Sequence, residues 1–184
     1  MDLHDFDSVS LYFDDACPPE VLGLLDMAAR SCIEGEGELP LLQAYLHAPE
    51  QLVVLVGLYR YYFYKHRLAE ADLVARRAMA VSGRRLGLPD DWQQMDQIAL
   101  ADAASRSMGL LRFWLLALKA RAVLALREGR TVVGQQMLEK LAILDQHDRL
   151  CARRFAAITR RCARGRRNRS ACHCGSRTRW RNAW

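Results

Sequence analysis

The sequence predicts an all-α protein, and three observations support this fold class. Apolar and small residues recur at an interval of 34 residues, as in the pairs Ala44 and Ala78 or Leu24 and Leu58, and such a period is typical of repeated helical units. No run of alternating apolar and polar residues is long enough to indicate a strand. Proline and glycine divide the chain into segments that suit short helices. We therefore expect helices joined by turns and no sheet.

The helices can be placed in order from their start and stop signals. Pro19 and Pro40 fit the first turns of helices, and Gly87 ends a long helix because glycine caps helix C-termini. Residues Ser107, Met108 and Gly109 are expected to form a break or kink, and Thr131 is expected to cap the last helix. The predicted helices are 18–34, a short helix that ends near residue 47, 48–65, 69–86, 92–106, 110–127 and 131–145.

The repeated residues resemble the tetratricopeptide repeat family. Its pattern places apolar or small residues at fixed positions of two helices, and two consecutive units of this chain supply them. The first unit has Val21, Leu24, Leu25, Ala28, Gly37, Leu41, Ala44 and Pro49. The second unit has Leu55, Leu58, Tyr59, Tyr62, Ala71, Ala75, Ala78 and Gly83. The small residues let neighbouring helices approach closely, since a bulky side chain there would overpack the contact.

A third unit fits the pattern less well. It supplies Leu118, Arg121, Ala122, Ala125, Gly134, Leu138, Leu141 and Gln146. It carries Arg121 at an apolar position and lies further from the second unit than one period, so residues 91–112 form an irregular insert. The resemblance covers about residues 18–147 and implies a tetratricopeptide-like solenoid of about three helix pairs, because single units cannot bury their apolar faces alone.

Charge divides the chain into unlike regions. The net charge is +6, yet residues 150–184 contain 11 arginines and no acidic residue, so the preceding residues carry a net charge of −5. We accordingly divide the chain into an acidic N-terminal lead (1–17), a helical domain (18–150) and an Arg- and Cys-rich tail (151–184).

Three interpretations of the tail remain open. Its arginines with Trp180 could bind nucleic acid, and Cys172-His-Cys174 offers zinc ligands, although at an awkward spacing. A disordered basic tail is the second interpretation. The favoured one is a frameshift, because the onset is abrupt and the composition is that of a GC-rich gene read out of frame.

The resemblance also implies a function and a site. Tetratricopeptide units bind protein segments on the concave surface formed by their first helices, and the matching positions here include Arg60, Phe63, Tyr64, Lys119 and Arg127. We expect a scaffold or adaptor whose aromatic residues anchor a peptide or protein partner while its cations hold acidic groups. The alternative function is nucleic-acid binding through the tail, which we consider less favoured.

Other functional classes find little support in the sequence. Its histidines are scattered, and neither a metal-binding His-Glu-x-x-His motif nor a phosphate-binding loop occurs. We expect no enzyme, cofactor or metal site. The most apolar segment, Leu110 to Leu126, is interrupted by three cations, so no membrane span is expected. The N-terminus lacks the features of a signal peptide, which favours a cytoplasmic location.

Overall fold

A computed structural model describes residues 16–31 and 36–160, and in these ranges the fold is all helical with no strand. The prediction of an all-α protein is therefore confirmed. The helices are α1 (Pro19–Ser31), α2 (Glu38–His47), α3 (Leu52–Tyr64), α4 (Leu68–Leu86), α5 (Gln97–Arg106), α6 (Met108–Arg127), α7 (Thr131–Leu144) and α8 (152–160).

Helices that follow one another in sequence pack together as α1 with α2, α3 with α4, and α6 with α7. The pairs also contact each other, through α2 with α3 and through α4 with α6. The small residues at these contacts are buried as expected: Ala44 and Ala71 are fully buried, and Ala78 is 5% exposed. Close approach of the helix backbones explains why these positions hold alanine.

Two turns follow the sequence signals closely. Gly87 ends α4 in the left-handed conformation with φ at 64°, and the N–H of Leu88 donates to the carbonyl of Gly83 at 2.9 Å, which is the hydrogen bond of a Schellman cap. Ser107 separates α5 from α6, and its hydroxyl accepts a hydrogen bond from the N–H of Leu110. Glycine and serine thus set these boundaries by local chemistry.

The structure differs from the expected helices at several points, since α3 begins at Leu52 instead of residue 48 and α6 begins at Met108 instead of residue 110. The helix expected over 92–106 is divided into a 3₁₀ turn (Trp92–Gln94) and α5, because the Asp96 side chain caps α5 by accepting from the N–H of Ala99. Thr131 does not cap α7. It is the first helical residue, and Arg130 precedes it without a side-chain cap.

The C-terminal part of the described chain is packed beyond the expected domain boundary at residue 150. Helix α8 buries Ala152 and Ala156, and both belong to the hydrophobic cluster that contains Leu118 of α6 and Leu141 of α7. The first residues assigned to the tail therefore form part of the core. The other expectations for the tail concern residues 161–184, which lie outside the described ranges, as do residues 1–15 of the N-terminal lead.

Ionic contacts also join successive helix pairs. Glu38 at the start of α2 pairs with Arg67, which precedes α4, at 2.7 Å. Asp72 of α4 pairs with Arg121 of α6 at 3.2 Å. Each contact links one pair to the next, so polar residues reinforce the apolar packing between pairs.

Candidate functional site

A groove between α1 and α3 is the candidate binding site. The cavity has a volume of about 520 Å³ and is open to solvent. Its walls combine aliphatic side chains on one side with cationic and aromatic side chains on the other: Leu25, Ala28 and Leu41, and Arg60, Tyr64 and Lys65. We call this cavity the α3 groove. A surface of this kind suits an extended segment that carries apolar and acidic groups.

The helix α3 has the residues that a groove wall needs. Gly57 lies at the groove, and an added Cβ there would come within 3.0 Å of the Leu41 side chain, so glycine allows α3 to pass close to α2. One turn later Arg60 is partly buried, and a further turn on Tyr64 is 55% exposed. The spacing of one helical turn places Arg60 and Tyr64 on the same face.

Within the part of the chain that the structure describes, the groove cations Arg60 and Lys65 have no acidic partner. The Lys65 ammonium instead lies 5.8 Å from the centre of the Tyr61 ring. Asp26 on α1 is already paired with Arg30 at 2.7 Å. The described residues of the groove therefore carry a net positive charge.

Phe63 and Arg127 meet at the edge of the same region, although they are far apart in the sequence. The Arg127 guanidinium lies over the Phe63 ring at 4.9 Å, and its Nη2 lies 3.0 Å from Nδ1 of His66. Phe63 also stacks with Tyr59 and makes an edge contact with Tyr64. Four of the five predicted site residues are thus neighbours around the C-terminal end of α3.

Lys119 is separated from the other predicted site residues. It is only 7% exposed, and its ammonium lies 5.1 Å from the centre of the Phe155 ring of α8. The sequence pattern assigned residues after 150 to a tail outside the domain, so it did not indicate that α8 covers this lysine. Cation–π contact with Phe155 gives the buried ammonium a compensating partner.

A buried ionic cluster is the feature that the sequence pattern did not reveal. The carboxylate of Asp72, with a side chain only 7% exposed, accepts hydrogen bonds from Arg76 and Arg121, and from Arg130 at the start of α7. The available signal in the sequence was Arg121, a charged residue at a position that the repeat pattern keeps apolar. Arg121 occupies this position because its charge is neutralised by Asp72 of the preceding pair.

The pKa values of the cluster follow from burial and charge. Burial acts to raise the pKa of Asp72, but the hydrogen bond from Arg76 and the charges of Arg121 and Arg76 together hold that pKa below its ordinary value. Burial lowers the pKa of Arg121, and the Asp72 carboxylate opposes that effect. The cluster remains ionised at neutral pH and holds α4, α6 and the start of α7 together.

The part of the chain that the structure describes contains no candidate metal-binding site. There, no three histidine, cysteine, aspartate or glutamate side chains lie close enough to hold an ion. The candidate ligands Cys172 and Cys174 fall outside these residues. No helix of the described chain is long and apolar enough to cross a membrane.

Fold and site together define an all-α protein built of packed helix pairs, with a cationic, aromatic groove. Comparison with known proteins finds a relative that shares 51% identity over 153 residues, which is 83% of this chain and 85% of the relative. The relative is described as an uncharacterized 19.8 kDa protein in the nifW 5′ region of Azotobacter chroococcum mcd 1. The chain belongs to the same family as this protein.

Two further comparisons give no match. No established family profile matches the chain, and no solved structure is similar to it. The resemblance to tetratricopeptide repeats therefore stays a prediction based on the repeated residues.

Proposed function

We propose that the chain is a tetratricopeptide-like protein-interaction module that binds a peptide or protein segment in the α3 groove. The observation that carries the proposal is a cavity of about 520 Å³ that has an aliphatic wall and two cations, Arg60 and Lys65. Among the described residues, neither cation forms an ion pair with an acidic side chain. Tyr64 at the opening supplies an exposed aromatic anchor.

The arrangement of helices supports the tetratricopeptide part of the proposal. Sequential pairs pack on one another, and the positions that the family keeps small are buried, including Ala44 and Ala78. Gly134 of the third pair, which matches Ala71 of the second, has no space for a side chain, because an added Cβ would lie 2.9 Å from the carbonyl oxygen of Ala122. In this reading α8 is the terminal helix that covers the last pair.

The chemistry of the groove defines the kind of ligand. Aliphatic residues and Tyr64 favour apolar or aromatic anchors, and Arg60 and Lys65 favour acidic groups beside them. The description of the Azotobacter relative states a size and a gene position and no activity, so the proposal rests on the groove. We also propose, from the sequence, that the protein acts in the cytoplasm and is not an enzyme.

A displayed library of random peptides tests the proposal directly. Selection on the full chain should enrich sequences that combine acidic and aromatic residues. For an enriched peptide, fluorescence anisotropy should show that Tyr64→Ala weakens binding at least about tenfold, since a buried anchor is worth about 2 kcal/mol or more. Arg60→Ala should weaken binding less and reduce its dependence on salt.

Matched controls distinguish the groove from a general effect. Ile143→Ala removes an apolar side chain that is 63% exposed on α7, and Arg154→Ala removes an exposed cation on α8. Lys119→Ala alters a predicted site residue that Phe155 covers. We expect all three variants to bind like the parent. Peptides that bind the Tyr64 and Arg60 variants as tightly as the parent would place the binding site elsewhere.

The alternative function, nucleic-acid binding through the tail, concerns mainly residues 161–184, outside the described chain. A truncated chain that tests it should end at residue 160, because a shorter one would expose the buried positions Ala152 and Ala156. If truncation at 160 abolishes nucleic-acid binding that the full chain shows, the alternative gains support. Retention of peptide binding by the truncated chain is expected from the groove proposal.

A further inference from the structure

The N-terminal segment of the chain matches the ligand chemistry that the α3 groove selects. Residues 1–15 contain five aspartates, no lysine and no arginine, together with the apolar residues Phe6, Leu11, Tyr12 and Phe13. We infer that this segment binds the α3 groove of its own chain and competes there with the external ligand. The inference rests on the proposed function, because it gives the groove its occupant.

Charge complementarity is the first argument for this occupant. The groove wall on α3 carries Arg60 and Lys65, and α3 itself contains no acidic residue. On α1, Asp26 is paired with Arg30. A segment with five carboxylates and no basic side chain other than His4 is attracted to such a surface.

The N-terminal segment is joined to the fold beside one end of the groove. The carbonyl of Ala16 accepts a hydrogen bond from Nε2 of Gln51 at 3.0 Å, which fixes the chain beside the N-terminus of α3. The groove extends along the same helix to Lys65, about 21 Å away at the rise of an α-helix. Fifteen residues in an extended conformation span up to about 50 Å. The segment therefore reaches every part of the groove.

Tethering makes such a ligand effective even when its intrinsic affinity is low. A segment joined to its site by a short linker has an effective concentration of about 1 mM. An external ligand must displace the segment. The apparent association constant of that ligand is its intrinsic constant multiplied by the fraction of chains whose groove is free. The segment also indicates the partner: an acidic stretch that contains closely spaced aromatic residues.

Hydrogen exchange of the full chain tests the inference without any external ligand. The amides of residues 3–15 should exchange at least about tenfold more slowly in the parent than in the groove variant Arg60→Glu, Lys65→Glu, because charge reversal repels the segment. The control Arg154→Glu reverses an exposed charge on α8 and should leave the exchange unchanged. Equal exchange in the parent and in the groove variant would overturn the inference.

A charge-swapped chain guards against a folding defect in the groove variant. Replacing the five aspartates of residues 1–15 by lysine in the Arg60→Glu, Lys65→Glu background should restore slow exchange of the segment, whereas the same replacement in the parent should abolish it. Circular dichroism confirms that each chain keeps its helices. Absence of restoration in a folded double variant would contradict docking in the groove.

The outcomes separate this inference from the proposed function. In the segment variant Phe6→Ala, Tyr12→Ala, Phe13→Ala, a library peptide selected on the parent should bind at least about tenfold more tightly, since its competitor is gone. Groove-dependent peptide binding that is unaffected by this variant would refute competition and leave the interaction module standing. Groove-dependent protection of residues 1–15 without binding of any external peptide would support the inference and refute the external ligand.

Discussion

Removal of the Asp72 carboxylate should destabilise the protein strongly, because it leaves a buried cation without its partner. Arg121 is only 12% exposed and pairs with Asp72 at 3.2 Å. Breaking a buried ion pair by removing one member costs about 3–5 kcal/mol. This is a large part of the free energy of unfolding of a typical domain, about 5–15 kcal/mol. We therefore expect Asp72→Ala to lower the free energy of unfolding by about 3–5 kcal/mol.

Urea unfolding followed by circular dichroism measures this change, and an exposed ion pair provides the control. Asp102 and Arg106 form a pair at 2.8 Å with side chains 57% and 50% exposed, so Asp102→Ala should cost less than about 1 kcal/mol. In the Asp72→Ala background, Arg121→Met should recover part of the loss because the unpaired charge is removed. If Asp72→Ala costs no more than Asp102→Ala, the buried cluster does not join the helix pairs as we describe.

Two further predictions concern the same packing. Gly134→Ala should lower the free energy of unfolding, because its Cβ would lie 2.9 Å from the Ala122 carbonyl oxygen. The control Gly23→Ala, whose Cβ would meet no atom within 4 Å, should raise the free energy of unfolding by about 0.5–1 kcal/mol. Opposite changes would refute the close approach of α6 and α7. The pKa of Asp72 is lowered in the folded chain, so its contribution to stability is complete above the unfolded value of about 3.9 and is lost as pH falls below it. In chemical unfolding measured against pH, the stability difference between the parent and Asp72→Asn should therefore be constant above about pH 5 and narrow below about pH 4.

The sequence could predict most of the helices because their boundaries depend on local chemistry. Gly87 adopts the left-handed conformation that ends α4, as expected, and the break expected over 107–109 falls at Ser107, which caps α6. The burial of Ala44 and Ala78 followed from their spacing. These features depend on a few neighbouring residues, and the sequence contains all the information they need.

Features that depend on how distant helices cross could not be predicted in the same way. The pairing of Asp72 with Arg121 joins residues 49 positions apart, and only the contact of α4 with α6 brings them together. Helix α8 packs through Ala152 and Ala156, which are small residues among arginines and give a weak apolar pattern. Because Phe155 of α8 lies against Lys119, this lysine does not belong to the exposed surface on which the sequence placed it.

The sequential packing of the helices has a consequence for how the chain is made. Apart from the contact of α4 with α6, the extensive contacts between the described helices join neighbours in the sequence. A low sequence separation between contacting residues favours rapid folding. During synthesis, each helix pair can pack as soon as it leaves the ribosome, because its partner has already been made. Assembly can thus proceed from the N-terminus, with α8 closing the far end of the described chain last.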